Sequence, residues 1–242
     1  MMGGDLIGFI NKIIGPRHKL IKRIPGYHYA PNIYGASFNK LIDPRSDKLF
    51  FEAATKAIKD RTTSLYYDRL YTFYQLVPKA PISSFVEAGV YKGGSAYFIA
   101  SIAKKFHKDP KVFAVDTFEG FVKEDNPDGH NKVGVFGDVS YEKVKNYLSE
   151  FPFVKVIKGR IQEVAPAEKF GFVHLDMDIY EPTIWSLNYF GKNLASGGAI
   201  VVDDYNTVSC PGIKKAIDEF LKENNNFLNI DLMNGQALLI KF

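Results

Sequence analysis

With 242 residues, 46% of them hydrophobic and 24% charged, the chain has the composition of an ordinary globular protein with an ample core. A formal net charge of +4, spread evenly apart from one basic cluster, leaves no electrostatic footprint for nucleic acid. No apolar run reaches the ~18 residues of a bilayer span, and Cys210 is the single cysteine, so the expected setting is a reducing cytoplasm without integral membrane contact.

In chain order, residues 1–60 read as a helical and irregular cap, broken by Pro16, Pro25, Pro31 and Pro44, and residues 61–242 as the core domain. Leu6, Phe9, Ile10 and Ile13 make an amphipathic stretch, followed by a basic cluster of Lys12, Arg17, Lys19, Lys22 and Arg23. Such a stretch rests on an anionic membrane surface, or packs on the core or on a second copy of the chain. Packing is favoured, because the polar face carries only Asp5, Asn11 and Lys12. Asp5 and Lys12 also interrupt the apolar core that a signal peptide needs. Tyr27, Tyr29, Tyr34 and Phe38 suit either packing or stacking on the ring of an acceptor.

Tyr66, Leu70, Phe73, Tyr74 and Val77 recur with helical period up to Pro78 and deliver the chain to a first strand, Ile82 to Ala88. A glycine turn follows, then a helix with Phe98, Ile99, Ile102, Ala103 and Phe106 on one face, then the strand Lys111 to Asp116. Ser140 caps the next helix, whose apolar face is Val144, Tyr147 and Leu148, before the strand Val154 to Ile157. The strand Phe172 to Leu175 leads to a helix from about Glu181, and the strand Ala199 to Val202 leads to a helix with Ile213, Ala216, Ile217 and Phe220 inward. Phe227 to Ile230 and Ala237 to Ile240 flank the turn signal Asn234-Gly235. This alternation predicts a doubly wound, Rossmann-like α/β fold: a mostly parallel seven-stranded sheet with an antiparallel C-terminal hairpin and an N-terminal helical cap.

The run Glu87-Ala88-Gly89-Val90-Tyr91-Lys92-Gly93-Gly94-Ser95 joins the first strand to its helix. Gly89 suits a sharp bend, and Gly93 and Gly94 would let a ligand approach the main chain at a helix N-terminus. Asp116 ends the next strand, roughly 20 residues on, where a carboxylate that binds ribose sits in doubly wound folds. The spacing is not Gly-x-Gly-x-x-Gly and lacks the glycines that cradle a pyrophosphate, so a cofactor with ribose and no phosphate, S-adenosylmethionine, fits better than NAD. Ala88, Ser95 and Thr117 flank these positions and complete the turn's candidate cofactor set.

Two acidic pairs follow apolar strands, Asp176 with Asp178 and Asp203 with Asp204. In an open parallel sheet both pairs lie in the crevice at the carboxyl ends of the strands. Four carboxylates together repel one another, and oxygen donors without a cysteine or histidine cluster favour Mg²⁺, or Ca²⁺ in its place. Aspartates that merely cap helices or form ion pairs are the plain alternative.

Val86 to Ser95, Val115-Asp116-Thr117-Phe118-Glu119-Gly120, Leu175-Asp176-Met177-Asp178-Ile179-Tyr180-Glu181 and Val202-Asp203-Asp204-Tyr205 together resemble the macrocin O-methyltransferase family over roughly residues 60–240. The resemblance implies a class I methyltransferase that uses S-adenosylmethionine and Mg²⁺ to methylate a sugar hydroxyl. It implies Glu87, Gly89 and Asp116 at the cofactor, and Asp176, Asp203 and Asp204 at the metal. Lys158-Gly159-Arg160-Ile161-Gln162 is similar to the adenine-contacting turn of catechol O-methyltransferases, which implies the Ile161 main chain and Gln162 at the adenine ring.

Methylation of a hydroxyl needs a base, and His130, in the polar loop Asp125 to Lys132, is the first candidate because histidine titrates near working pH. Asp178 is the alternative base, or a further metal or substrate contact, alongside Asp176. His174 reads as a satisfied core histidine. Three other readings stay open: an NAD-dependent dehydrogenase, which lacks its pyrophosphate glycines; a metal-dependent hydrolase, which leaves the glycine turn and Asp116 without a role; and a non-catalytic binding module.

Overall fold

The computed structural model describes residues 47–121 and 134–242, all within one compact unit. The N-terminal amphipathic stretch, the basic cluster, Tyr27, Tyr29, Tyr34, Phe38 and His130 lie outside the described residues.

Helix α1 (Lys48–Lys59) buries Phe50, Ala53, Ala54 and Ala57 at helical spacing, and the Phe50 ring meets Phe98 edge-on with centroids 5.8 Å apart. Helix α2 (Tyr67–Leu76) buries Leu70, Thr72 and Phe73, then tightens into a 3-10 turn (Val77–Lys79) as Pro78 ends the α-helical ladder. Tyr66, expected on the apolar face, precedes the first turn and is 58% exposed.

Strand β1 (Ser84–Ala88) pairs in parallel with β2 (Lys111–Asp116) on one side and β4 (Phe170–Leu175) on the other. Helix α3 (Gly94–Phe106) connects β1 to β2 and buries Phe98, Ile99, Ile102 and Ala103, while Phe106 in its last turn is exposed. Helix α4 (Tyr141–Tyr147) is capped by the Ser140 side chain and leads to β3 (Val154–Lys158), parallel to β2. A one-turn helix, α5 (Ile161–Val164), precedes β4. Sequence periodicity does not announce it, because four residues are too few to repeat a pattern.

Helix α6 (Tyr180–Asn193) connects β4 to β5 (Leu194–Val202), and α7 (Pro211–Glu223) buries Ile213, Ala216, Ile217 and Phe220, the face expected. Strand β5 starts at Leu194 rather than Ala199, since the Leu194 pairing with Phe170 is followed by a register shift before Ala199 pairs with Phe172. A bulge through Gly197 and Gly198 hides this start from apolar patterning. Strands β6 (Phe227–Asp231) and β7 (Ala237–Lys241) form the antiparallel hairpin, with β7 against β5.

The sheet order is β3-β2-β1-β4-β5-β7-β6, parallel through β5 and antiparallel thereafter. The chain winds outward from β1 to β3 and then in the opposite direction through β4 and β5. The switch point therefore lies between β1 and β4, and the crevice beyond their carboxyl ends is the expected ligand site. Strands β1 and β4 are buried throughout, so their near-continuous apolar runs, broken by Glu87 and His174, are those of an interior parallel sheet.

Candidate functional site

The glycine turn is anchored to Asp116. One carboxylate oxygen accepts the backbone N–H groups of Val90 and Tyr91 at 2.7 and 2.8 Å, and the other accepts that of Phe118 at 2.7 Å. Three of about four acceptor positions of the carboxylate are thus taken by backbone. Gly89 has φ +88°, and a Cβ there would lie 1.8 Å from the carbonyl oxygen of Asp176, so no other residue fits between the ends of β1 and β4. Gly93 and Gly94 meet protein rather than open space. A Cβ on Gly93 would touch Val144, and one on Gly94 would lie 2.7 Å from Thr63.

At the acidic end of the sheet the four aspartates separate. Asp203 is buried; one of its oxygens accepts from Arg69 Nη1 at 3.0 Å and the other from His174 Nε2 at 2.9 Å. His174 Nδ1 donates to Glu87 Oε1 at 2.7 Å. Burial alone would lower the pKa of His174, but the hydrogen bonds to Asp203 and Glu87 overcome it and hold the imidazole at about 10. Burial, then the Asp203 and Asp178 charges, pushes Asp176 well above the usual carboxylate range. Burial and a hydrogen bond shared with Asp204 do the same to Asp178. Cys210 stands behind this pair, its Sγ 3.6 Å from Asp178 and 3.8 Å from Asp204, and burial with the two carboxylate charges pushes its thiol up to about 12.

Both halves open into one cavity of about 460 Å³, a size common for small-molecule sites. Of the residues singled out from sequence, Ala88, Gly89, Ser95, Asp116 and Thr117 line it at the turn, and Ile161 and Gln162 line it beyond β3. Asp176, Asp178 and Asp204 line its acidic end. Glu87, Gly93 and Asp203 do not: Glu87 and Asp203 grip His174, and Gly93 packs on α4.

Sequence reasoning missed several lining residues. Thr62 to Leu65, between α1 and α2, close one wall, and Arg69 reaches in from α2. Tyr91, Phe121 and Phe136 form an aromatic rim, with ring centroids 5.2 Å apart for Tyr91 and Phe136 and 5.7 Å for Phe121 and Phe136. Asp138 latches it, accepting from Tyr91 at 2.7 Å and from Lys92.

A crevice at the switch point, a glycine turn tied to an acidic residue on β2 and carboxylates on β4 and β5 are features that methyltransferases and other Rossmann-like enzymes share. The family model for macrocin-O-methyltransferase (TylF) matches residues 72–237. The chain belongs to the macrocin-O-methyltransferase family. Among relatives of this family member, the demethyldecarbamoylnovobiocin O-methyltransferase of Streptomyces niveus is 29% identical over 150 residues, covering 56% of each chain. The mycinamicin III 3''-O-methyltransferase of Micromonospora griseorubida is 26% identical over 152 residues, covering 56% of this chain and 59% of the relative. The chain thus spans little more than half the length of the curated relatives it matches. The same fold occurs in the O-methyltransferase NovP, with a TM-score of 0.62 at 23% identity over 74% of this chain and 82% of that one. It occurs also in the calicheamicin methyltransferase CalS11, with a TM-score of 0.61 at 17% identity over 82% of this chain and 93% of that one.

Proposed function

We propose that this family member is an S-adenosylmethionine-dependent, Mg²⁺-assisted O-methyltransferase acting on a hydroxyl of a sugar or similar small acceptor. The observation that carries the reading is the shared cavity, which puts the turn held by Asp116 beside Asp176, Asp178 and Asp204. The names of the relatives, which are O-methyltransferases of sugar-linked and other natural products, support the acceptor class.

The residues fit both groups. Asp116 keeps about one acceptor position for a ribose hydroxyl, and Gly89, whose missing side chain lets the ends of β1 and β4 meet, lines the cavity beside it. Carboxylates that repel one another suit a hard divalent ion, and Asp176, Asp203 and Asp204, with Asp178 beside them, would hold it. When bound, S-adenosylmethionine supplies an electrophilic methyl group, and Mg²⁺ supplies Lewis acidity toward an acceptor hydroxyl. The protein supplies orientation, since the turn and the carboxylates sit on ends of adjacent strands and hold two reactants in one geometry. Leu65, Met177 and the aromatic rim give the cavity apolar walls.

The base takes the hydroxyl proton, and His130 holds that role in our reading. Asp178 competes for it on a specific observation: it lines the cavity, and its proton affinity is raised toward the range useful to a base. The single cysteine fits a cytoplasmic enzyme, and among the described residues no helix is long and apolar enough to cross a membrane.

Turnover with radiolabelled S-adenosylmethionine and a panel of glycosides and deoxysugar nucleotides tests the reading. Methyl transfer that stops in chelator and returns with Mg²⁺ is expected; transfer unaffected by chelator would remove the metal.

A further inference from the structure

The two edges of the sheet are guarded unequally. At one edge β3 carries Lys155 and Lys158, both exposed, and such lysines keep a sheet edge from pairing with another chain. At the other edge β6 holds no lysine, proline or bulge. Its bonds to β7 fix which main-chain groups it offers. The carbonyl of Asn226 accepts from the N–H of Phe242, and the N–H of Leu232 donates to the carbonyl of Gln236, both at 3.0 Å. Even-numbered residues therefore face β7, and the main-chain groups of Phe227, Asn229 and Asp231 face outward from the last strand of the sheet.

Side chains add an apolar strip to that open ladder. Leu228 and Ile230 share one face, at 51% and 39% exposure, beside half-buried Ile240 of β7, the cross-strand partner of Leu228. They lie on the face away from α7, since Phe227, Ala237 and Leu239 on the other face join the core with Ile213 and Phe220. On that other face Lys241, opposite Phe227, donates to the carbonyls of Gly191 and Leu194, and no carboxylate among the described residues pairs with it.

The strand is its own complement. A second β6, turned about a twofold axis through Asn229, sets Leu228 against Ile230 of the copy on the apolar face. On the other face it brings Asp231 of the copy into the row of Phe227 and Lys241, and it keeps the two Asp231 carboxylates at opposite ends of the pair. The outward groups of Phe227, Asn229 and Asp231 meet the same groups in reverse order. We infer that β6 is the interface through which two copies of this chain pair, antiparallel and centred on Asn229, joining their sheets into one. No residue of β6 lines the cavity, so the inference is independent of the chemistry proposed there.

Sedimentation velocity of the full chain across micromolar concentrations tests it, and a monomer–dimer equilibrium is expected. Leu228→Lys and Ile230→Glu each set a charge against an apolar side chain of the copy and should weaken self-association roughly tenfold or more, with thermal unfolding and S-adenosylhomocysteine binding unchanged. Mixed in equal amounts, the two variants should associate more tightly than either alone, because the register sets the new lysine of one chain against the new glutamate of the other. That rescue separates strand pairing from a dimer made elsewhere on the chain. A monomer at every concentration, a dimer indifferent to both substitutions, or a mixture no tighter than the separate variants overturns the inference.

Discussion

Glu87 and His174 are direct partners in the register of β1 and β4, joined by a 2.7 Å hydrogen bond with both side chains wholly out of solvent. The same imidazole holds Asp203 on β5 through its other nitrogen, so one charged ring ties three central strands together below the cavity. Without that ring buried Glu87 would be uncompensated, while Asp203 would keep Arg69. His174→Phe is therefore expected to cost about 3–5 kcal/mol of unfolding free energy. Adding Glu87→Gln should restore part of it, because the stranded charge is removed. Denaturant unfolding of the single and double variants measures this, and a His174→Phe loss under 1 kcal/mol would show that the triad is not a structural ion network.

Two glycines with left-handed backbone should respond very differently to alanine. Gly89 has φ +88° and no space, with the Asp176 carbonyl in the way; Gly197 has φ +77° and nothing within 4 Å. Gly197→Ala should cost only the backbone strain, about 1 kcal/mol. Gly89→Ala adds a clash at the switch point and should either prevent folding or abolish binding of S-adenosylhomocysteine. Comparable thermal shifts for the two variants would contradict the close approach of β1 and β4.

The two candidate bases are separable by turnover. His130→Gln should reduce turnover at least a hundredfold while leaving the affinity for S-adenosylhomocysteine unchanged, as general bases contribute ~10²–10⁴-fold. Near-normal turnover in that variant, with the loss found in Asp178→Asn instead, would assign the proton to the carboxylate that the cavity already contains.

Much of this architecture is legible in the residues, and the exceptions have physical reasons. The strand Lys111–Asp116, the inward face of α7 and the hairpin around Asn234-Gly235 announce themselves because periodicity and turn chemistry are local properties. The start of β5 is hidden by a bulge, and α5 is too short to carry a period. At the site, an acidic pair after a strand signals the crevice but not the direction of each side chain. Both lie past the end of β5, in a turn where Asp204 takes a left-handed backbone, so Asp204 lines the cavity while Asp203 turns to Arg69 and His174. Glu87 has the position of a cofactor ligand but finds His174, a partner far away in sequence. Arg69 looks like any arginine on an amphipathic helix, and only the fold brings it to Asp203.

The most direct test of the central claim is calorimetric titration of the purified protein with S-adenosylhomocysteine, with and without Mg²⁺, beside NAD and an Asp116→Ala variant. The account predicts micromolar binding of S-adenosylhomocysteine, at least tenfold weaker binding in the variant and none of NAD, because Asp116 holds the turn and offers the remaining acceptor to ribose. Preference for NAD, or an affinity indifferent to Asp116, would contradict it.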